Sequence, residues 1–482
     1  MVSSIKQQSI KAMAWDFVGK IAGQTVMFII SVFLARLLSP QDFGLLAMVN
    51  VVIALSTTLI DMGLGVALIQ RKEVSDIHYG SVFFFNMAVG LLLMTALFFS
   101  APFIADFYNN QILVPIARVM SVVFVLSSIG NVIRVKLRKE LEYGIPAKAG
   151  IIASVVSGII GIGMAFSGFG VWSLVANSLL NPIISNAYLF YKVKWRPKLI
   201  YQWAALKDLW NFGFKMFLSG ILETFVSNAD SIIIGKLFSP AVLGFYYRAR
   251  SLNNYVVVYS SGSIMNVLFP TFSIIQDDRV RFVNAITKGY HIINFLAFYL
   301  TGLFFIIGDA LILFLFGEKW EPAIPYFRLI IVGAFGYPLS ALLVNILKAC
   351  GNSSGFLKLE IIKKIALILA LCFGFLWGIE GYLICSIFVT VFSVVMNMHF
   401  AGKQIDTGLM YFARISIPYL LILIIGSGAF FIGLKYLNVH YLSQILIGLI
   451  GFSGYFFGAA WLLKLHGIMV LIQEVKNLLK KI

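Results

Sequence analysis

Apolar residues run along this chain in long unbroken stretches, and the polar positions fall between them in short bursts. Fourteen apolar segments are read, centred near residues 27, 55, 92, 124, 157, 181, 225, 261, 303, 336, 369, 390, 426 and 452. A segment such as Ile415–Tyr436 is nearly uncharged throughout, and about 20 such residues in a helix cross the roughly 30 Å of bilayer hydrocarbon. The runs are continuous rather than alternating, which argues against a membrane barrel. Segments five and six meet at "SGFG" (Ser167–Gly170), and eleven and twelve at "GIEG" (Gly378–Gly381), so each pair is a helical hairpin. The pattern predicts an all-α polytopic membrane protein with about 14 transmembrane helices.

Composition agrees. The 482 residues are 60% hydrophobic and 12% charged, with a mean hydropathy of +0.94; a soluble chain of this length needs more charge to cover its surface. Cys350, Cys372 and Cys385 show neither pairing nor metal-ligand spacing and read as small apolar fillers. The start, "MVSSIKQQSIKAMAWDF", lacks a short apolar core with a small-residue cleavage site, so no cleavable signal is expected.

The net charge of +17 orients the bundle. With the N-terminus in the cytoplasm and loops assigned alternately, about 29 of the 37 basic residues fall inside, as the positive-inside rule requires. Arg36, Arg118, Lys236, Arg248, Arg250, Lys319, Arg328 and Lys435 remain outside. Both termini are then cytoplasmic. The basic residues are scattered over short loops rather than gathered in one patch, so nucleic acid is not expected as a partner. "KNLLKKI" at the C-terminus reads either as an amphipathic helix on the anionic inner leaflet or as a solvated tail.

Superimposed on the spans is a repeat. "RLLSPQDFGLL" (Arg36–Leu46) aligns without a gap with "KLFSPAVLGFY" (Lys236–Tyr246), 200 residues on. "WDFVGK" at Trp15–Lys20 resembles "WNFGFK" at Trp210–Lys215, and "PIAR" at Pro115–Arg118 matches "PYFR" at Pro325–Arg328. An even number of spans separates the copies, so they are parallel repeats about an axis along the membrane normal, an arrangement that holds substrate between its halves. The expected organisation is an N-lobe over 1–191 (helices 1–6), a basic cytoplasmic linker over 192–214, a C-lobe over 215–400 (helices 7–12), helices 13 and 14 over 401–463, and a cytoplasmic tail over 464–482, with a central cavity between two pseudo-symmetric lobes.

The motifs "FLARLLSPQDFGLLAM", "DMGLGVALIQRKE" and "ADSIIIGKLFSPAVLGFYYRARSL", on this span count, resemble the MOP superfamily of exporters, most closely its polysaccharide-transporter branch of Wzx and WzxC-like flippases. The resemblance covers nearly the whole chain and is less specific for cargo than for branch. It implies a bacterial plasma-membrane protein that moves an undecaprenyl-diphosphate-linked oligosaccharide from inner to outer leaflet by alternating access. It also implies coupling to Na+ or H+ with no other cofactor, and polysaccharide polymerase machinery as a partner. It implies no enzyme activity.

Such cargo needs a wet cationic route through hydrocarbon. Span seven carries Lys215, Ser219, Glu223, Ser227 and Asp230 at steps of three and four, and span one carries Asp16, Lys20, Gln24 and Ser31; each set is one helical stripe. Arg248 and Arg250 open span eight, and arginine's planar fork suits a diphosphate. The candidate diphosphate ligands are therefore Arg250, Arg248, Lys215, Lys20, Arg118 and Arg328, the last two equally readable as cations snorkelling from helix ends. Asp230 and Glu223, with Asn228 nearby, could hold Na+ or a proton, or could pair with Lys215 or Arg250 as gate salt bridges. Asp16 belongs either to that group or to an i, i+4 pair with Lys20. Arg36, Pro40, Gly44, Lys236, Pro240 and Gly244 are assigned to the turns: hydroxyl caps, proline starts a helix, glycine permits close packing.

Two other readings stay open. A MATE-like cation-coupled drug exporter would share the fold but favours a more acidic cavity. A membrane glycosyltransferase or polymerase would need a large outer loop or clustered catalytic acids, and neither is seen, nor is a nucleotide-binding signature.

Overall fold

The structure, a computed structural model, describes residues 2–197, 200–255, 278–436 and 440–470. Among these the chain is helical and without strands. Nine helical segments among the described residues are long and apolar enough to cross a membrane, and the protein is a multi-pass membrane protein. In chain order the first elements are α1 (Val2–Leu37), α2 (Pro40–Asp61), α3 (Leu64–Gln70), α4 (Asp76–Tyr108), α5 (Leu113–Met120) and α6 (Val122–Lys139). There follow α7 (Gly144–Phe166), α8 (Val171–Lys192), α9 (Trp203–Leu237) and α10, over 240–255. The second half holds α11 (Arg279–Phe316), α12 (Ile324–Val332), α13 (Gly336–Ala349), α14 (Ser353–Gly374), α15 (Gly378–Gln404), α16 (Leu409–Tyr436), α17 (Tyr441–Ile447) and α18 (Ser453–Leu462).

Local chemistry sets the breaks. Ser39 caps α2: its hydroxyl accepts from the Asp42 N–H while the Asp42 carboxylate accepts from the Ser39 N–H, and Pro40 supplies the preset φ of the first turn. The same span ends where Met62 and Gly63 turn left-handed, at φ 42° and 72°. The chain then restarts as α3, whose first turn gives its Gly65 N–H to the Asp61 carboxylate. Gly63 sits against the Gly213 backbone of α9, where a Cβ would overlap the carbonyl.

The expected linker over 192–214 is shorter than its charge suggested. Among the described residues coil covers 193–197 and 200–202; residues 203–214 are the first turns of α9. Leu206 and Leu209 are buried there with Leu64, Leu68, Tyr79, Val82 and Val132, so an amphipathic face overrides the loop-like composition.

Contacts divide the chain into two compact units, Met1–Tyr247 and Arg248–Ile482. Unit 1 includes α9, which packs on α2, α3 and α4; a lobe boundary drawn by counting spans would have placed it with the second half. Unit 2 is built on α11, whose Tyr290, Phe295 and Phe298 join Leu342, Phe412, Tyr419, Phe452 and Phe456 in one core. After α18 the chain tucks back: the Gly467 N–H donates to the Tyr419 hydroxyl at 3.0 Å, and Ile468 is buried. The rest of the expected tail, beyond residue 470, lies outside the described residues, as does most of the eighth expected span.

Candidate functional site

The two repeated turns meet. Within unit 1, the first turn of α2 lies against the first turn of α10. A Cβ on Gly44 would overlap the Pro240 carbonyl, and one on Gly244 would overlap the Pro40 carbonyl. The contact is reciprocal, as expected of two copies related by a local two-fold. The motif recurs because each glycine receives the other copy's proline. Lys236 donates to the Phe107 carbonyl and lies over the Phe107 ring at 4.9 Å, which ties its turn to α4; Arg36 is exposed at the corresponding place on α1.

The acidic residues of span seven separate. Asp230 is buried in unit 1, accepting from the Tyr246 hydroxyl at 2.5 Å and the Ser231 N–H at 2.7 Å. Glu223 is exposed. Seven residues put the two roughly 10 Å apart along the axis, too far for one hard cation, which binds oxygen at about 2.3–2.6 Å. Asn228 turns its amide nitrogen onto the Thr224 carbonyl of its own helix, at 2.7 Å. The expected three-residue oxygen pocket is therefore not assembled, and among the described residues no group of three His, Cys, Asp or Glu side chains could hold a metal. Thr224 instead reaches α2, its hydroxyl 3.2 Å from that of Thr58. The side chains of Asp16, Lys215 and Ser219 lie outside the described residues. Lys20 is exposed on α1.

The candidate arginines also part company. In unit 2, Arg248 is 4% exposed, with its guanidinium over Phe316 and Trp320 at 4.8 and 5.3 Å. That desolvated, aromatic seat makes it a packing residue rather than an open ligand. Arg250 is half-buried. Arg328 forms a two-pronged ion pair with Asp309, one arm at 2.8 Å, and lies over Phe431. Its repeat mate Arg118 lies over Phe98 at 4.9 Å and has no carboxylate within ion-pair distance among the described residues.

Sequence reasoning missed a polar cluster at the other end of unit 1 from the twin turns. Arg134 on α6 donates through one terminal nitrogen to Ser185 Oγ and Asn186 Oδ1 on α8, each at 3.0 Å. Asn186 is itself held by donating to the Leu126 carbonyl at 2.6 Å. One turn earlier, Asn131 donates to the Asp61 carboxylate at 2.6 Å. Lys139 closes the helix by donating to the Leu68 carbonyl at 2.7 Å. The signal for it in the sequence is the helical spacing of Ser127, Asn131, Arg134 and Arg138, which a count of loop charges overlooks. Elsewhere in the unit, an apolar cavity of about 240 Å³ lies between α2, α4 and α9, lined by Val51, Leu55, Phe103, Phe107 and Ile232. Its lining suits hydrocarbon, not a polar headgroup.

The profile of the family described as "Polysaccharide biosynthesis protein" matches residues 33–325. The chain belongs to that family. It is 28% identical over 364 residues to the lipopolysaccharide biosynthesis protein WzxC of Escherichia coli (strain K12), covering 73% of this chain and 70% of that one. It is 25% identical over 375 residues to the succinoglycan biosynthesis transport protein ExoT of Rhizobium meliloti (strain 1021), covering 77% and 74%. Its fold is similar to that of the lipid II flippase MurJ in an inward closed conformation, with a TM-score of 0.71, 15% identity, and coverage of 93% of this chain and 99% of that one. The fold is thus shared with a lipid II flippase, in line with the fold that the motif resemblance implied.

Proposed function

We propose that this protein flips an undecaprenyl-diphosphate-linked oligosaccharide from the cytoplasmic to the outer leaflet of a bacterial plasma membrane, with both termini cytoplasmic. The observation that carries the reading is a conjunction: a member of a polysaccharide biosynthesis family is built on a fold shared with a lipid flippase. Relatives named for lipopolysaccharide and succinoglycan biosynthesis support a glycan cargo. The surplus of basic over acidic residues among the candidate site positions supports an anionic headgroup. The flipped product is a lipid-linked repeat unit facing outward, which is the substrate a polysaccharide polymerase consumes, and such machinery is the partner this reading proposes.

The chain's role is passage rather than bond-making. Flipping leaves the lipid chemically unchanged, so net movement requires product removal or an ion gradient. We place coupling to Na+ or H+ at Asp230, whose carboxylate is held by Tyr246 between α9 and α10. An ion bound there shifts the balance of conformations only by its difference in affinity for them. Asp230→Asn keeps the shape and removes the charge, so flipping should persist down a cargo gradient while its dependence on ion gradient disappears.

The decisive experiment reconstitutes the purified protein in vesicles with labelled undecaprenyl-diphosphate oligosaccharide in one leaflet. Transfer to the other leaflet supports the reading. Efflux of cationic dyes without lipid transfer would instead establish the drug-exporter alternative, which the TM-score of 0.60 to a MATE transporter keeps in view.

A further inference from the structure

On α6, Ser127, Asn131 and Arg134 are half-buried and Arg138 is exposed, while Phe124, Ser128, Val132, Ile133, Val135 and Leu137 are buried. Those four polar positions advance by four, three and four residues, a single stripe on a helix. A guanidinium inside a span is costly, and such residues as a rule face a partner or a watered cavity. Arg134 has neutral partners only. Ser185 and Asn186 occupy one of its terminal nitrogens, and among the described residues no carboxylate lies within ion-pair distance of Arg134 or Arg138. The nearby acid, Asp61, is already taken up by the Asn131 amide and the Gly65 N–H. Arg138 is close enough for its charge to act on both Asp61 and Arg134. The seat for the guanidinium is built: at Gly130 a Cβ would overlap both Arg134 and Asn186, so glycine leaves the room the fork occupies.

We propose that this face of α6, with Arg134 as anchor, Arg138 as second cation and Asn131 beside them, binds the diphosphate of the lipid-linked cargo as it leaves the cytoplasmic leaflet. The inference rests on the flipping reading and adds to it the place where the headgroup is first held. Arg134 lies five residues inside the end of α6 at Lys139, roughly 7.5 Å along the axis, near the end of the span that the flipping reading puts at the cytoplasmic leaflet. A diphosphate needs planar, permanently charged donors, and the free edge of a held guanidinium supplies them. Neutral amide and hydroxyl groups behind it hold the fork without quenching its charge, which a carboxylate would do.

The test uses the full chain in lipid nanodiscs, with undecaprenyl diphosphate and undecaprenyl monophosphate as probes and binding read by native mass spectrometry. Wild type should prefer the diphosphate. Arg134→Gln should weaken its binding about tenfold or more, the loss expected for a charge-assisted contact. Arg134→Lys should recover only part, because a point charge cannot copy the fork. Arg138 is exposed, so Arg138→Gln leaves folding intact and should weaken diphosphate binding about threefold, by the loss of one cation near the site. Binding of the diphosphate lipid by Arg134→Gln and Arg138→Gln within twofold of wild type would overturn the site while leaving the flipping reading standing. If wild type itself fails to bind the diphosphate lipid, the flipping reading falls and this site with it.

Discussion

The two repeats treat the same position in opposite ways. In the first, Arg134 stands sixteen residues beyond Arg118; in the second, the residue sixteen beyond Arg328 is Val344. The partner position behaves likewise. Asn186 follows the hairpin glycine Gly170 by sixteen residues, and Asn397 follows Gly381 by the same interval. Asn186 accepts from Arg134 and donates to Leu126. Asn397 is fully buried, and among the described residues neither of its amide atoms has a hydrogen-bond partner. Val344 has joined the apolar core of unit 2. Among the described residues, one copy pairs a guanidinium with an amide between α6 and α8, and the other packs a valine into an apolar core. A duplicated fold therefore does not require a duplicated site: one copy can carry charge while the other carries packing.

The comparison can be broken most forcefully by moving the charge across. Val344→Arg should destabilise unit 2 by about 3–5 kcal/mol, the scale of an uncompensated buried charge. Ser340 stands where Gly130 leaves room, and Met396 where Ser185 accepts. Folded yield by fluorescence-detected size exclusion measures this; wild-type yield would mean that the second socket still accepts a guanidinium.

Removing the amide in the working copy comes next. Asn186→Leu deprives Arg134 of a charged hydrogen bond, and thermal unfolding in detergent should register a loss of about 1.5–3 kcal/mol. The twin turns provide a control in which the copies should behave alike. Gly44→Ala and Gly244→Ala each press a methyl on the other copy's proline carbonyl and should cost similar amounts, about 1–3 kcal/mol. The double variant should cost less than the sum, since one displacement of the turns relieves both clashes. A large inequality between the two singles would show that the contact is not reciprocal. The smallest effect is expected at Asn397→Leu, which removes a buried unbonded amide and should be neutral or stabilising by about 1 kcal/mol. A clear loss of stability there would reveal a partner for Asn397 and end the contrast with Asn186.

Much of the fold was legible in the chain because its causes are local. Continuous apolar runs name the membrane helices, Ser39 and Pro40 name the start of α2, and Gly63 names its end. The candidate site was less legible. Lys215 and Asp16 could be singled out by spacing, yet Asp230 and Glu223, read as one pocket, lie roughly two turns apart with only Asp230 buried. Arg248 reads as a cation offered to cargo and proves to be seated on Phe316 and Trp320. In each case the stripe was real, but rotation of the helix about its own axis is set by neighbours that a periodicity cannot name.

By itself, then, the sequence determined a multi-helix membrane chain with an internal repeat and its two matching Ser-Pro turns, since hydrophobic run length, capping and proline act within a few residues. Only the tertiary structure decided that the turns face each other, that Asp230 meets Tyr246, and that Arg134 meets a serine and an asparagine 51 and 52 positions away. Those pairings depend on how helices are rotated and set in register against one another. In a membrane the sequence pattern for a lipid-facing surface and for a packed one is the same hydrocarbon, so the chain alone carries little record of which polar face looks inward.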